Sequence, residues 1–361
     1  MFNNLNKLYY IREFTEASEG GISRDLAFYN YILNTNSYKV KFLKNKKSYI
    51  KKISNAIKEM IYLSQLKNKE IFLHQNSLNE IIPVKLFSNN FIGKFISKTL
   101  EEIALKNRLI IEINDLIYEQ SLDLNLLTEI QRETALKFQK EILNLKNVKY
   151  IFASEEMKNY CIKHYGTLEK NSYTCINGSI VLEDIKDNLK FEVKKEIKCI
   201  YAGTLNKGRQ IENLIDIFEN KVKNFKLILI GVNGEWILEK EYKNVDYLGS
   251  YKEVDALQIV SKCQLGLVPY DNKKFYYNLC YPTKNSFYIS AGIPMLITPL
   301  KESLNQLEKY DILFIEELNK WPEILNSLTL EELENKKKNV QKIKTIFTWN
   351  NLIKECFIKI K

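Results

Sequence analysis

Short runs of β-branched and aromatic residues alternate along the whole chain with longer stretches whose apolar positions return at helical spacing. This is the pattern of parallel strands wrapped by helices. In the first half the runs predict strands at 7–14, 38–43, 70–74, 109–114 and 150–153. The second half repeats the scheme at 197–202, 225–230, 245–248, 265–269, 294–298 and 312–315. Between the first two of these, Ile211, Leu214, Ile215 and Phe218 fall at i, i+3, i+4 and i+7, one stripe to lay on a sheet. A further stripe is expected from Ile50, Ile53, Ile57, Met60 and Ile61, with Lys44, Lys47, Lys51 and Lys58 near a different face. Residues 181–195 offer no buried face, and the linker is expected there. The expected architecture is α/β: two doubly wound parallel-sheet domains, 1–180 and 181–345, facing a cleft at the carboxyl ends of their strands, where ligands of such sheets bind.

Length agrees with two domains, since 361 residues exceed the roughly 150 of one. Hydrophobic residues at 45% exclude disorder of the whole chain. The six cysteines are scattered without a CxxC pair, so neither a disulfide framework nor a zinc site is indicated, and a reducing cytoplasm fits. With His74 and His164 the only histidines, a His-rich metal centre is not expected. Residues 1–10 lack the apolar core of a signal peptide, and no apolar run approaches the roughly 18 residues of a membrane span.

The net charge of +10 suggests an anionic partner, with the Lys- and Asn-rich composition of an AT-rich genome as the alternative. Lysines crowd the region from Lys39 to Lys52, a candidate surface for anionic lipid at the inner face of a membrane; a merely solvated face is the competing reading. No helix-turn-helix, zinc finger or aromatic RNA-binding signature accompanies the lysines, so nucleic acid is not expected as a partner.

Three runs carry candidate chemistry. Gly20 and Gly21 lie between the first strand and the next helix, where bare backbone and free N–H groups suit an anion; an ordinary turn is the alternative. The run from Cys199 to Ile215 puts Gly203 and Thr204 at a strand's carboxyl end, then Lys207 and Arg209 in a loop before a helix. Arg209 can fork to phosphate oxygens and stay charged as a leaving group departs, though a solvated arginine is the commoner outcome. In the third run Pro282 and Thr283 open a helix that Gly292 and Pro294 close. Lys284 then occupies the first turn, the wrong place for a cation unless an anion shares it with the helix dipole; a lysine that snorkels into solvent is the alternative.

The spacing of the second and third runs, with Asn244 to Tyr251 and Glu253 to Pro269 between them, resembles the donor half of the retaining GT-B glycosyltransferases of family 4. Phe152 to Lys158, Tyr165-Gly166 and Ile176 to Ser179 resemble their passage toward the linker, and Phe347-Thr348-Trp349 their closing segment. The resemblance implies a second domain that binds a UDP- or GDP-linked sugar, a first domain on the acceptor side, and a helix within 346–361 that crosses back to it. It places Arg209 and Lys284 near the diphosphate, Gly203, Thr204, Pro282 and Thr283 around it, the Ser250-Tyr251 turn near the base, and Gly20-Gly21 over the phosphates. Asp115 would face the acceptor, as base if the reaction inverts. No cofactor or metal is implied. Two departures stand out: Thr204 replaces the family's arginine, and Leu279 and Phe287 replace its two spaced glutamates, as in variants with a Pro-x-Lys element. The expected activity is hexosyl transfer to a glycan or lipid-linked acceptor in surface polysaccharide assembly, such as capsule or lipopolysaccharide. The rival is a catalytically inactive GT-B subunit that stabilises a partner transferase.

Overall fold

A computed structural model of the chain describes residues 7–13, 20–43, 48–181 and 196–361. Lys44, Lys47 and most of the expected linker lie outside the described residues. Two compact units emerge: residues 1–176 with 353–361, and residues 177–352.

In the first unit the order is β1 (Lys7–Arg12), α1 (Gly20–Thr35), β2 (Lys39–Leu43), α2 (Tyr49–Gln65), β3 (Glu70–His74), α3 (Gln75–Ile81), α4 (Asn90–Lys106) and β4 (Arg108–Ile113). It continues with α5 (Ile117–Leu124), α6 (Glu129–Leu143), β5 (Val148–Phe152), α7 (Glu155–Tyr165) and β6 (Ser172–Thr174). The second unit holds β7 (Ile197–Ala202), α8 (Ile211–Asn220), β8 (Phe225–Ile230), β9 (Val245–Tyr247), α9 (Glu253–Val260), β10 (Leu265–Val268), α10 (Phe275–Leu279) and α11 (Thr283–Ala291). Then come β11 (Met295–Ile297), α12 (Lys301–Leu307), β12 (Leu313–Ile315), α13 (Trp321–Ser327) and α14 (Leu330–Ile343); the last helix, α15 (Trp349–Ile360), belongs from residue 353 onward to the first unit.

Each unit carries a six-stranded parallel sheet, ordered β2-β1-β3-β4-β5-β6 and β12-β11-β10-β7-β8-β9. The central strands are buried on both faces, which is why they read as unbroken apolar runs. All eleven expected strands are present within a residue or two; β6, only Ser172-Tyr173-Thr174, was not foreseen because it has no apolar run. The expected stripe of α8 is buried, with Ile211, Leu214, Ile215 and Phe218 in the core of the second unit. The expected stripe of α2 is not. Ala56 and Leu63 are buried there, whereas Ile57 and Ile61 face solvent.

The last helix closes the first unit. Its Phe357 packs among Phe28, Tyr31, Tyr38 and Phe72, and the Ile360 carbonyl accepts from Lys149 at 2.6 Å and from Arg108.

Under the ends of β1, β3 and β4 lies a buried ionic group. Arg24 Nε meets Glu112 Oε1 at 2.5 Å, and His74 Nδ1 lies 3.1 Å from Glu112 Oε2 and 3.5 Å from Asp25 Oδ1. Burial opposes the charge on Glu112, but Arg24 and the His74 hydrogen bond outweigh it and hold the carboxyl below its ordinary range. Glu112→Gln is expected to strip Arg24 of its counter-charge and destabilise the chain by about 3–5 kcal/mol. The double variant Arg24→Met, Glu112→Leu should recover much of that loss, a comparison that thermal unfolding makes directly.

Candidate functional site

In the second sheet the strand order reverses between β7 and β10, the place where open parallel sheets leave a crevice for ligands. The pairing of these two strands spans only Leu265 with Cys199 and Gly266 with Ile200. Beyond it the Tyr288 hydroxyl of α11 takes over: it accepts from the Ala202 N–H at 3.0 Å and lies 3.2 Å from both the Ile200 and Leu267 carbonyls. The Tyr288 ring covers Gly266, where a Cβ would come within 2.5 Å of ring carbons. A glycine inside a buried strand thus seats a helix on the switch point.

Lys284 stands four residues before Tyr288, on the same face of α11, and is carried to the same crevice. Its ammonium arrives over Gly203, where a Cβ would sit 2.7 Å from Nζ. Gly203 has φ +148°, Gly231 at the end of β8 has φ +143°, and a Cβ on Gly231 would fall 1.8 Å from the Gly203 carbonyl oxygen. The Gly231 N–H in turn donates to the Gly249 carbonyl at 2.9 Å. Glycine therefore occupies three adjacent strand ends, and at the first two no side chain fits.

Lys284 is only 8% exposed, yet no carboxylate pairs with it among the described residues. Its Nζ donates to Tyr270 Oη at 3.3 Å and lies 4.8 and 5.3 Å from the ring centroids of Tyr201 and Tyr270. Burial works against the ammonium, but the oxygens of Tyr201, Tyr270 and Tyr288 outweigh it and raise its pKa above the ordinary lysine value. A buried cation held by neutral partners leaves room for an anion.

Tyr201 and Tyr270 also line a pocket of about 30 Å3, together with Arg209, Asp271, Lys274 and Tyr277, among others. Arg209 is exposed in the loop between β7 and α8, and its guanidinium makes no hydrogen bond or ion pair among the described residues. Arg209 lines this pocket, and Lys284 contacts its Tyr201 and Tyr270 walls. Lys207 does not join them in any recorded contact; its ammonium rests over the Trp236 ring at 5.3 Å. The Gly208 N–H is taken by the Glu212 carboxylate at 2.9 Å.

Comparison with known proteins bears on the fold. Across the whole chain the structure is similar to WaaG, a glycosyltransferase involved in lipopolysaccharide biosynthesis, with TM-score 0.63 and 11% identity over 98% of this chain and 99% of that one. It is equally similar to HepE of Anabaena in complex with UDP-glucose: TM-score 0.63, 12% identity, 98% of this chain and 99% of the other. The fold is GT-B. A third GT-B neighbour is a UDP-forming α,α-trehalose-phosphate synthase from Burkholderia xenovorans in complex with glucose-6-phosphate, with TM-score 0.57, 8% identity, and 100% and 94% coverage. Residues 199–360 match the family model of the Glucosyltransferase 3-like, C-terminal domain. No curated protein sequence matches the chain.

Within the GT-B fold the remaining expected residues are dispersed. Pro282 caps α11 and is buried, with Thr283 half-buried beside Lys284. Thr204 is half-buried, and its carbonyl accepts from Tyr201 Oη at 3.1 Å. Ser250 and Tyr251 are exposed after β9, with β8 between that strand and β7. Leu279 is buried and Phe287 half-buried.

In the first unit Gly20 and Gly21 open α1, and Asp115 follows β4. The buried Gln75 pins the backbone there. Its Oε1 accepts from the N–H groups of Asn114 and Asp115 at 3.0 Å each, and its Nε2 donates to the Asp115 carbonyl at 2.8 Å. The sequence reading missed the tyrosines at positions 201, 270, 277 and 288. Two signals pointed to them: Tyr288 shares a helix face with Lys284, and Gly266 interrupts an apolar strand.

Proposed function

We propose that this chain transfers a sugar from a nucleotide-sugar donor, UDP- or GDP-linked, to a glycan or lipid-linked acceptor in the assembly of a surface polysaccharide. The observation that carries the reading is Lys284, a buried ammonium without a carboxylate partner among the described residues, at the switch point of the second sheet. A diphosphate laid over Gly203 completes its coordination, and Arg209 supplies a second charge from the loop. As the bond from the anomeric carbon to the phosphate oxygen breaks, charge builds on the diphosphate and these fixed cations stabilise it. The transfer proceeds with retention: the acceptor hydroxyl bonds to the anomeric carbon and gives its proton to the departing phosphate. The buried and half-buried apolar side chains at 279 and 287 suit a route that draws on no carboxylate from those positions.

The matched glucosyltransferase domain model and the nucleotide-sugar complex of a neighbour support the donor class. All six cysteines are free and five are buried, in keeping with a cytoplasmic site of action. Arg209→Ala is expected to lower kcat/KM for nucleoside diphosphate release by about 10- to 100-fold. Arg209→Lys should fall between, because an ammonium keeps the charge and loses the fork. Unchanged turnover in Arg209→Ala would remove Arg209 from the mechanism. The anomeric configuration of the product, read by NMR, tests retention; an inverted product would make Asp115 the residue to examine as base.

A further inference from the structure

We propose that α4, with its neighbour α2, presents a docking face for an anionic lipid bilayer. The inference stands on the first unit alone and does not rest on the donor site. Helix α4 carries two stripes. Gly93, Ile96, Ser97, Leu100, Ile103 and Ala104 are buried. On the opposite side Phe91, Lys94, Phe95 and Lys98 recur at i, i+3, i+4 and i+7, the positions a surface helix ordinarily gives to polar residues alone. Phe91 is 81% exposed and Phe95 66%, with Ile92 beside them. Single exposed apolar side chains are ordinary, but a row of them flanked by charge marks an interaction face.

Helix α2 packs against α4 and repeats the device: Ile57 and Ile61 point outward, with Lys51 and Lys58 exposed on the same helix. The local charge has one sign. From Ile81 to Leu100 the chain contains no Asp or Glu, whereas Lys85, Lys94 and Lys98 are all exposed. Lys51, Lys58, Lys94 and Lys98 make no ion pair among the described residues. Within the lysine-rich region from Lys39 to Lys52, Lys41 pairs with Glu59 at 2.6 Å and Lys52 with Glu80 at 3.6 Å.

Aromatic rings between lysines match a bilayer surface in both its layers, with phosphates for the ammonium groups and the acyl boundary for the rings. A second copy of this chain fits less well, because the same face would bring lysines against lysines.

The test is co-sedimentation of the full chain with vesicles of phosphatidylcholine alone and of phosphatidylcholine with phosphatidylglycerol. Association with the anionic vesicles is expected, weakened about tenfold or more by F91S with F95S and by K94E with K98E. Thermal unfolding should stay unchanged in both variants, since the altered side chains are exposed. Three results would overturn the proposal: no association of the wild type with anionic vesicles, association undiminished in both variants, or a vesicle-independent self-assembly that F91S with F95S abolishes. Nucleotide binding measured on the same samples should be unaffected by either variant, and its absence from the wild type would bear on the donor site alone.

Discussion

Lys284→Met is expected to lower sugar transfer by about 100- to 1,000-fold while leaving the fold intact. The two halves of that expectation come from one fact. The ammonium is buried and held by hydroxyl and ring partners with no carboxylate among the described residues, so its charge is not taken up by an internal counter-ion. Methionine keeps most of the apolar stem near Gly203 and removes the charge. Turnover with the true substrates, set beside the melting temperature, separates a binding role from a structural one. A variant that melts well below the wild type would make Lys284 a structural element. Undiminished transfer would dismiss it from the site.

The second large effect is expected at Gly231→Ala, which should destabilise the second unit by more than about 3 kcal/mol. A methyl group there would lie 1.8 Å from the Gly203 carbonyl oxygen and 2.6 Å from its carbon, and both are backbone atoms that no rotamer change can move aside. The φ of +143° adds a conformation that L side chains rarely adopt. Scanning calorimetry should show a melting temperature lower by on the order of 10 °C, or no folded second unit. A wild-type transition in Gly231→Ala would mean that the ends of β7 and β8 do not approach as closely as described.

The fold was legible because the sheets are parallel and covered on both sides. Strands such as β4, with Leu109, Ile110 and Ile111 buried, leave unbroken apolar runs that need no partner to be recognised. The three-residue β6 leaves none and escaped notice. Periodicity also fails to say which way a stripe faces. Ile57 and Ile61 have the spacing of a core face, yet Ala56 and Leu63 are the residues buried, and the isoleucines remain outside.

The site was legible where a residue contradicted its local setting. A lysine in the first turn of a helix and a glycine at a strand end were each anomalous, and the structure brings Lys284 over Gly203. The tyrosines that enclose the lysine were not anomalous. Tyrosine suits strands and buried faces alike, and Tyr201 and Tyr270 come from separate strand ends that meet only when β7 and β10 pair. Gly231 was overlooked for the same reason: what excludes its side chain is the backbone of another strand.

The central claim is that Lys284 receives a diphosphate at the β7–β10 crevice, and titration calorimetry of the full chain with UDP and with GDP tests it most directly. The account predicts that at least one of the two binds the wild type and that Lys284→Met weakens that binding about tenfold or more. Equal affinity in wild type and variant, or no binding of either nucleotide to the wild type, would contradict it.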